Sequence, residues 1–167
     1  MKKSCFTLVE IVMVVALIAV LTGIAIGGYS YAMGSARESA TRSIIKQLGA
    51  ALENAKVKHG FYPVSKNMPE EKRIQLLKAD GEEIDDDALA KVWGTDTNPL
   101  PKDYIKDFRK TLDFESLREY IDDKGYVCDA WGTPLVYTAP DTTNRKAFTI
   151  TSYGPDGESG GDDDITN

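Results

Sequence analysis

The sequence predicts an α+β fold in which one long N-terminal helix, half membrane-inserted and half amphipathic, packs against a small antiparallel β-sheet head that ends in an acidic loop. Three observations predict it. From Ile11 to Ala36 the chain runs 26 residues without a charged side chain. Apolar residues then recur at helical spacing as far as Ala55. The last third holds two β-rich segments followed by a tail of glycine and aspartate.

The uncharged run is long enough to cross a hydrocarbon layer of about 30 Å as a helix rising about 1.5 Å per residue. Lys2 and Lys3 precede it, which by the positive-inside rule leaves the first residues in the cytoplasm and the bulk of the chain outside. A cleaved secretory signal is the competing reading, but the run is longer than a signal core and no small-x-small cleavage site follows it. A single-pass anchor fits better. At 167 residues the chain has room for one domain beside that anchor. Its net charge of -6 argues against a nucleic-acid partner, which needs a basic surface. Cys5 and Cys128 are not expected to form a disulfide, and the lone His59 with no paired cysteines gives no zinc spacing.

Glu10 is the anomaly of the apolar segment. A carboxylate inside a membrane helix costs about 2.5–3.5 kcal/mol unless it reaches the interface or finds a partner. Two readings stand: solvation among the cytoplasmic headgroups, or pairing with a positive group of a neighbouring subunit.

Beyond Ala36, Ile44, Ile45, Leu48, Ala51, Leu52 and Ala55 form an apolar face, with Arg42, Lys46, Glu53 and Lys56 opposite. Gly60 and Pro63 end the pattern. One helix over residues 6–59 would be about 80 Å long. His59, at its end, reads as a partner for the helix dipole rather than a catalytic base.

In the head, Pro69 predicts a short helix over 70–79. Residues 81–111 read as loop-rich, and the acids Glu82, Glu83, Asp85, Asp86 and Asp87 as a solvated face. A second short helix is predicted over 113–122. Residues 134–138 and 147–151 read as strands of a hairpin around a turn at 141–144, laid against the long helix. Trp131 reads as a core aromatic packing the two together. The tail from Tyr153 to Ile165 has too many glycines and acids to build a core, which leaves a disordered acidic tail or a loop held by a hard cation with oxygen ligands.

Cys5-Phe6-Thr7-Leu8-Val9-Glu10 resembles the leader junction of type IV pilins and type II secretion pseudopilins. The resemblance implies that a prepilin peptidase cuts between Cys5 and Phe6 and methylates the Phe6 amine, and that Glu10 attracts that amine of an adjacent subunit. The family has glycine before the cut, where this chain has Cys5. Asp129-Ala130-Trp131-Gly132-Thr133-Pro134 is similar to the Asp-Pro-Trp-Gly-Asn-Pro turn of major pseudopilins, with alanine in place of the first proline. His59-Gly60-Phe61-Tyr62-Pro63 resembles that family's Asn-Gly-Arg-Tyr-Pro element.

Ser152-Tyr153-Gly154-Pro155-Asp156-Gly157, ending at Asp163-Asp164-Ile165, looks like the calcium loop of the same proteins. That likeness implies Ca2+ held by the side chains of Asp156, Asp163 and Asp164 and by the carbonyls of Tyr153, Glu158 and Gly161. The family resemblance as a whole implies a leader over 1–5, a transmembrane assembly helix over 6–30 and a periplasmic head over 31–167. The implied protein is not an enzyme but a subunit of a homo-oligomeric fibre at the inner membrane, working with prepilin peptidase, minor pseudopilins and the inner-membrane secretion platform. A type IV pilus or competence pilin and a membrane-anchored calcium-binding module are the alternatives, and a membrane-anchored enzyme is the rival of another class.

Overall fold

The structure, a computed structural model, describes residues 7–63, 71–78, 82, 84–93, 100–138 and 148–167. The predicted cleavage junction at Cys5 and Phe6, and the predicted hairpin turn at 141–144, lie outside the described residues. Two compact units are present, Met1–Ala36 and Arg37–Asn167.

Helix α1 spans Leu8–His59. Its first part is apolar and exposed: Leu8, Val9, Ile11, Met13 and Val15 through Ile24 and Tyr31 show most of their surface. It is a helix long and apolar enough to cross a membrane. Its later part builds the core of the second unit, where Ile44, Ile45, Leu48, Ala51, Leu52 and Ala55 are all buried, as the spacing predicts. The Gly60 N–H closes the helix on the Lys56 carbonyl at 2.7 Å, with Gly60 at a φ of 84° that glycine reaches without a Cβ penalty.

Four short strands form one antiparallel sheet in the order β1-β2-β3-β4: β1 Glu71–Arg73, β2 Val136–Thr138, β3 Thr149–Ser152 and β4 Ile165–Thr166. The β2–β3 hairpin is the one the sequence predicts, with Tyr137 opposite Ile150. Leu135, Tyr137, Phe148 and Ile150 share one core with the buried face of α1. That burial is the main stabilising term, at about 25 cal/mol per Å² of apolar surface.

The middle of the chain departs from expectation. Residues 71–78 are extended, not helical. Ile74 and Leu76 are fully buried with Gln75 less so between them, a period of two, and Ile74 exchanges backbone bonds with Leu135 and Val127. Cross-strand pairing outweighs the helix propensity of Glu71, Lys72 and Arg73. The stretch read as loop contains two helices, α2 Asp86–Trp93 and α3 Lys102–Thr111. Each buries residues at helical spacing: Leu89, Ala90 and Trp93 on α2, Tyr104, Ile105 and Phe108 on α3.

Asp85 and Asp87 are exposed and Asp86 partly so, as a solvated face predicts, and each also has a partner. Asp85 accepts the Ala88 N–H at 2.8 Å and caps α2. Asp86 meets Arg109 at 3.0 Å and Asp87 meets Lys102 at 2.6 Å, which ties α2 to α3. The helix predicted over 113–122 is shorter: α4 covers Phe114–Leu117 and a 3₁₀ turn follows over Arg118–Tyr120. Asp113 caps α4 through the Ser116 N–H. Trp131 sits half-buried at the edge of the core. Trp93 takes the central place instead, its ring 5.2 Å from Phe108 and 5.5 Å from Tyr137.

Candidate functional site

The acidic segment is the connection between β3 and β4, closed at its base by the pairing of Ser152 with Ile165. A disordered tail would lack that closure. Three of the predicted carboxylates each spend an oxygen on the loop's own backbone. Asp156 Oδ1 accepts the Glu158 N–H at 2.9 Å, Asp163 Oδ2 the Asp156 N–H at 3.4 Å and Asp164 Oδ2 the Gly160 N–H at 2.9 Å. Their other oxygens are the ones available to a ligand. Asp163 Oδ1 and Asp156 Oδ2 both approach the point a Cβ would occupy at Gly161, so only glycine leaves that space open. Asp164 Oδ1 is buried and has no hydrogen-bond partner among the described residues. A buried carboxylate oxygen left bare is costly, and a cation would compensate it.

Gly154, at a φ of 64°, lets the Asp163 carboxylate come close, since a Cβ there would lie 2.7 Å from Asp163 Oδ2. The Gly161 carbonyl faces the Asp164 N–H at 3.5 Å. No group of three His, Cys, Asp or Glu side chains is gathered as a ready metal cluster among the described residues. The donor set fits calcium in kind: hard oxygens, glycines that free backbone carbonyls, and one carboxylate oxygen in need of a partner.

Sequence reasoning missed what anchors this loop. Asp129 is buried, and its Oδ1 accepts the N–H groups of Trp131 and Thr133, each at 2.9 Å. Its Oδ2 accepts the Ser152 hydroxyl at 2.6 Å, and Ser152 Oγ accepts the Gly154 N–H at 3.1 Å. The neighbouring Ala130 N–H donates to Thr41 Oγ1 on α1 at 3.1 Å. The signal was an aspartate two and four residues before turn N–H groups, the spacing of side-chain turn capping.

At the other end of the sequence, Glu10 and Thr7 form a reciprocal cap on α1. Glu10 Oε2 accepts the Thr7 N–H at 2.8 Å and the Thr7 hydroxyl at 2.7 Å, while the Glu10 N–H donates to Thr7 Oγ1 at 3.3 Å. Thr-x-x-Glu at a helix start is the capping-box pattern, which satisfies orphan donors at the terminus. The carboxylate thus has partners within its own chain. Between Leu8 and Ala36 it is the single charged side chain.

A long N-terminal helix bearing a small antiparallel sheet defines an α+β fold of the pilin-like class. Residues 108–167 match the family model of type II secretion system protein G. The chain is also 29% identical over 162 residues to the type II secretion system core protein G of Pseudomonas aeruginosa, covering 97% of this chain and 90% of that protein. No solved structure matches. Both likenesses are to type II secretion protein G, one over the C-terminal part of the chain and the other over nearly its whole length.

Proposed function

We propose that this chain is the structural subunit of a type II secretion pseudopilus, polymerising through α1 into a periplasmic fibre that drives protein export across the outer membrane. The observation that carries this reading is the exposed apolar half of α1 with Glu10 as its single charge. Such a surface needs either lipid or other helices around it. In the membrane, lipid covers it; in the fibre, copies of α1 do. Cutting between Cys5 and Phe6 supplies the Phe6 amine, which prepilin peptidase methylates and which Glu10 of the adjacent subunit attracts. The capping box holds the Glu10 carboxylate at the helix start, where that amine arrives. Minor pseudopilins and the inner-membrane secretion platform are the further partners, with the head on the periplasmic side.

Mass spectrometry of the native N-terminus tests the processing step. The expected mass is that of a chain beginning at N-methyl-Phe6, and an intact Met1 overturns it. Glu10→Ala is expected to insert in the membrane yet form no fibre; normal fibres from that variant would remove Glu10 from assembly.

Within the same proposal, the β3–β4 loop binds Ca2+ through the Asp156, Asp163 and Asp164 side chains and the Tyr153, Glu158 and Gly161 carbonyls. The bare, buried Asp164 Oδ1 supports it. Calcium bound only to the folded head stabilises it by about 2.7 kcal/mol at a hundredfold excess over Kd. EDTA is therefore expected to lower the melting temperature, with Asp163→Ala already at the lower value. An EDTA-insensitive melt overturns the calcium assignment.

A further inference from the structure

Asp129 and Ser152 stand outside the proposed ligand set, yet they touch its first member through the backbone. The Gly154 N–H and the Tyr153 carbonyl belong to one peptide group. That group is planar, and the described chain contains no cis peptide bond. Its N–H and C=O therefore point in opposite directions, and whatever holds the N–H aims the carbonyl. Ser152 Oγ holds it at 3.1 Å. The Ser152 hydroxyl has its own proton committed to Asp129 Oδ2 at 2.6 Å, which leaves its lone pairs turned to the Gly154 N–H. Both side chains are buried, so water does not compete for either bond. Asp129 is in turn pinned by the Trp131 and Thr133 N–H groups.

We infer that, given a calcium ion in the β3–β4 loop, Asp129 and Ser152 are positioning residues that orient the Tyr153 carbonyl toward that ion. The carboxylate fixes the hydroxyl, the hydroxyl fixes the peptide plane, and the plane presents a ligand oxygen before the metal arrives. A ligand oriented in advance loses less freedom on binding, and partners of this outer kind are worth about 10–100-fold in metal affinity.

Calorimetric titration of Ca2+ into the full-length chain in detergent micelles, well below the melting temperature, tests the inference. Ser152→Ala is expected to raise Kd about tenfold or more. Asp129→Asn keeps the acceptor for Trp131 and Thr133 but turns a donor toward Ser152, and it too is expected to raise Kd. Thr41→Val serves as the control. It removes the buried acceptor of the Ala130 N–H on the same turn without touching the Gly154 bond. It is expected to lower the melting temperature while leaving Kd in place, which separates positioning from a general loss of stability. If Ser152→Ala and Asp129→Asn bind calcium as tightly as the wild type, or if Thr41→Val weakens binding as much as they do, the positioning role is overturned. A wild-type chain that takes up no Ca2+ overturns the calcium assignment itself and the positioning role with it.

Discussion

His59 Nε2 stands 3.0 Å from Asp107 Oδ2, fastening the last residue of α1 to the middle of α3. Lys58 reaches the other oxygen of the same carboxylate at 2.6 Å. The hydrogen bond from Lys58, and after it that from His59, holds the Asp107 carboxyl below the usual carboxylate range. In the unfolded chain the group returns to its ordinary value, so as pH falls the unfolded state takes up the proton first. The contribution is therefore complete above the ordinary aspartate value of about 4 and is lost as pH drops through the lowered folded value. Asp107→Asn is expected to lower the melting temperature at pH 7 and to flatten its decline between pH 5 and 2, within about that window. A variant whose melting temperature tracks the wild type across that range would show the pair to be inert.

Tyr104 is buried, with its ring 5.3 Å from Phe61 and 5.2 Å from His59, and its hydroxyl meets no hydrogen-bond partner among the described residues. Burial raises its pKa and keeps the phenol neutral. Removing a bare buried hydroxyl recovers its desolvation cost while the ring contacts stay. Tyr104→Phe is expected to stabilise the head by about 1 kcal/mol in chemical denaturation. A loss of that size would mean the hydroxyl has a partner.

Gly125 presses its α carbon against the Leu77 carbonyl, so a Cβ there would overlap backbone atoms. Its carbonyl accepts the N–H groups of Leu76 and Leu77 at 2.9 and 3.2 Å, so neither segment can step away cheaply. Gly125→Ala is expected to cost about 3 kcal/mol or more, from backbone displacement on top of a φ of 84°. Gly132→Ala, with a similar φ of 92° but open space around it, is expected to cost only about 1 kcal/mol. Equal losses in denaturation would mean that conformation, not the clash, sets the price.

Burial pushes the Cys128 thiol up to about 11, with the nearby Asp122 and Asp129 charges adding to the effect. The thiolate is the reactive form, so iodoacetamide at pH 8 is expected to leave Cys128 unmodified in the folded chain and to label it in denaturant. Peptide mapping distinguishes it from Cys5. Rapid labelling of the folded chain would contradict its enclosure.

Much of this was legible along the chain. The apolar face from Ile44 to Ala55 needed only its spacing, because a helix repeats over a few residues and the core faces one side of it. The β2–β3 hairpin followed from alternation in the same way. The helices α2 and α3 were hidden by their surroundings: the acids at 85–87 and the prolines at 99 and 101 drew attention from Leu89–Trp93 and Tyr104–Phe108. Glu71–Arg73 misled in the other direction, since charged helix formers became a strand once β2 offered hydrogen bonds. β4, only two residues long, carries too little pattern to be read before its partner is known.

By itself the sequence determined the long helix, its uncharged first half with Glu10, the stop at Gly60 and the set of acids from Asp156 to Asp164. These are short-range matters of periodicity, solvent preference and composition. Only the tertiary structure decided which oxygens those acids spend on backbone N–H groups, which one is left buried and bare, and that Asp129 reaches Ser152 across 23 positions of chain. Such pairs depend on how strands and turns pack, and no local pattern encodes a contact between residues that far apart.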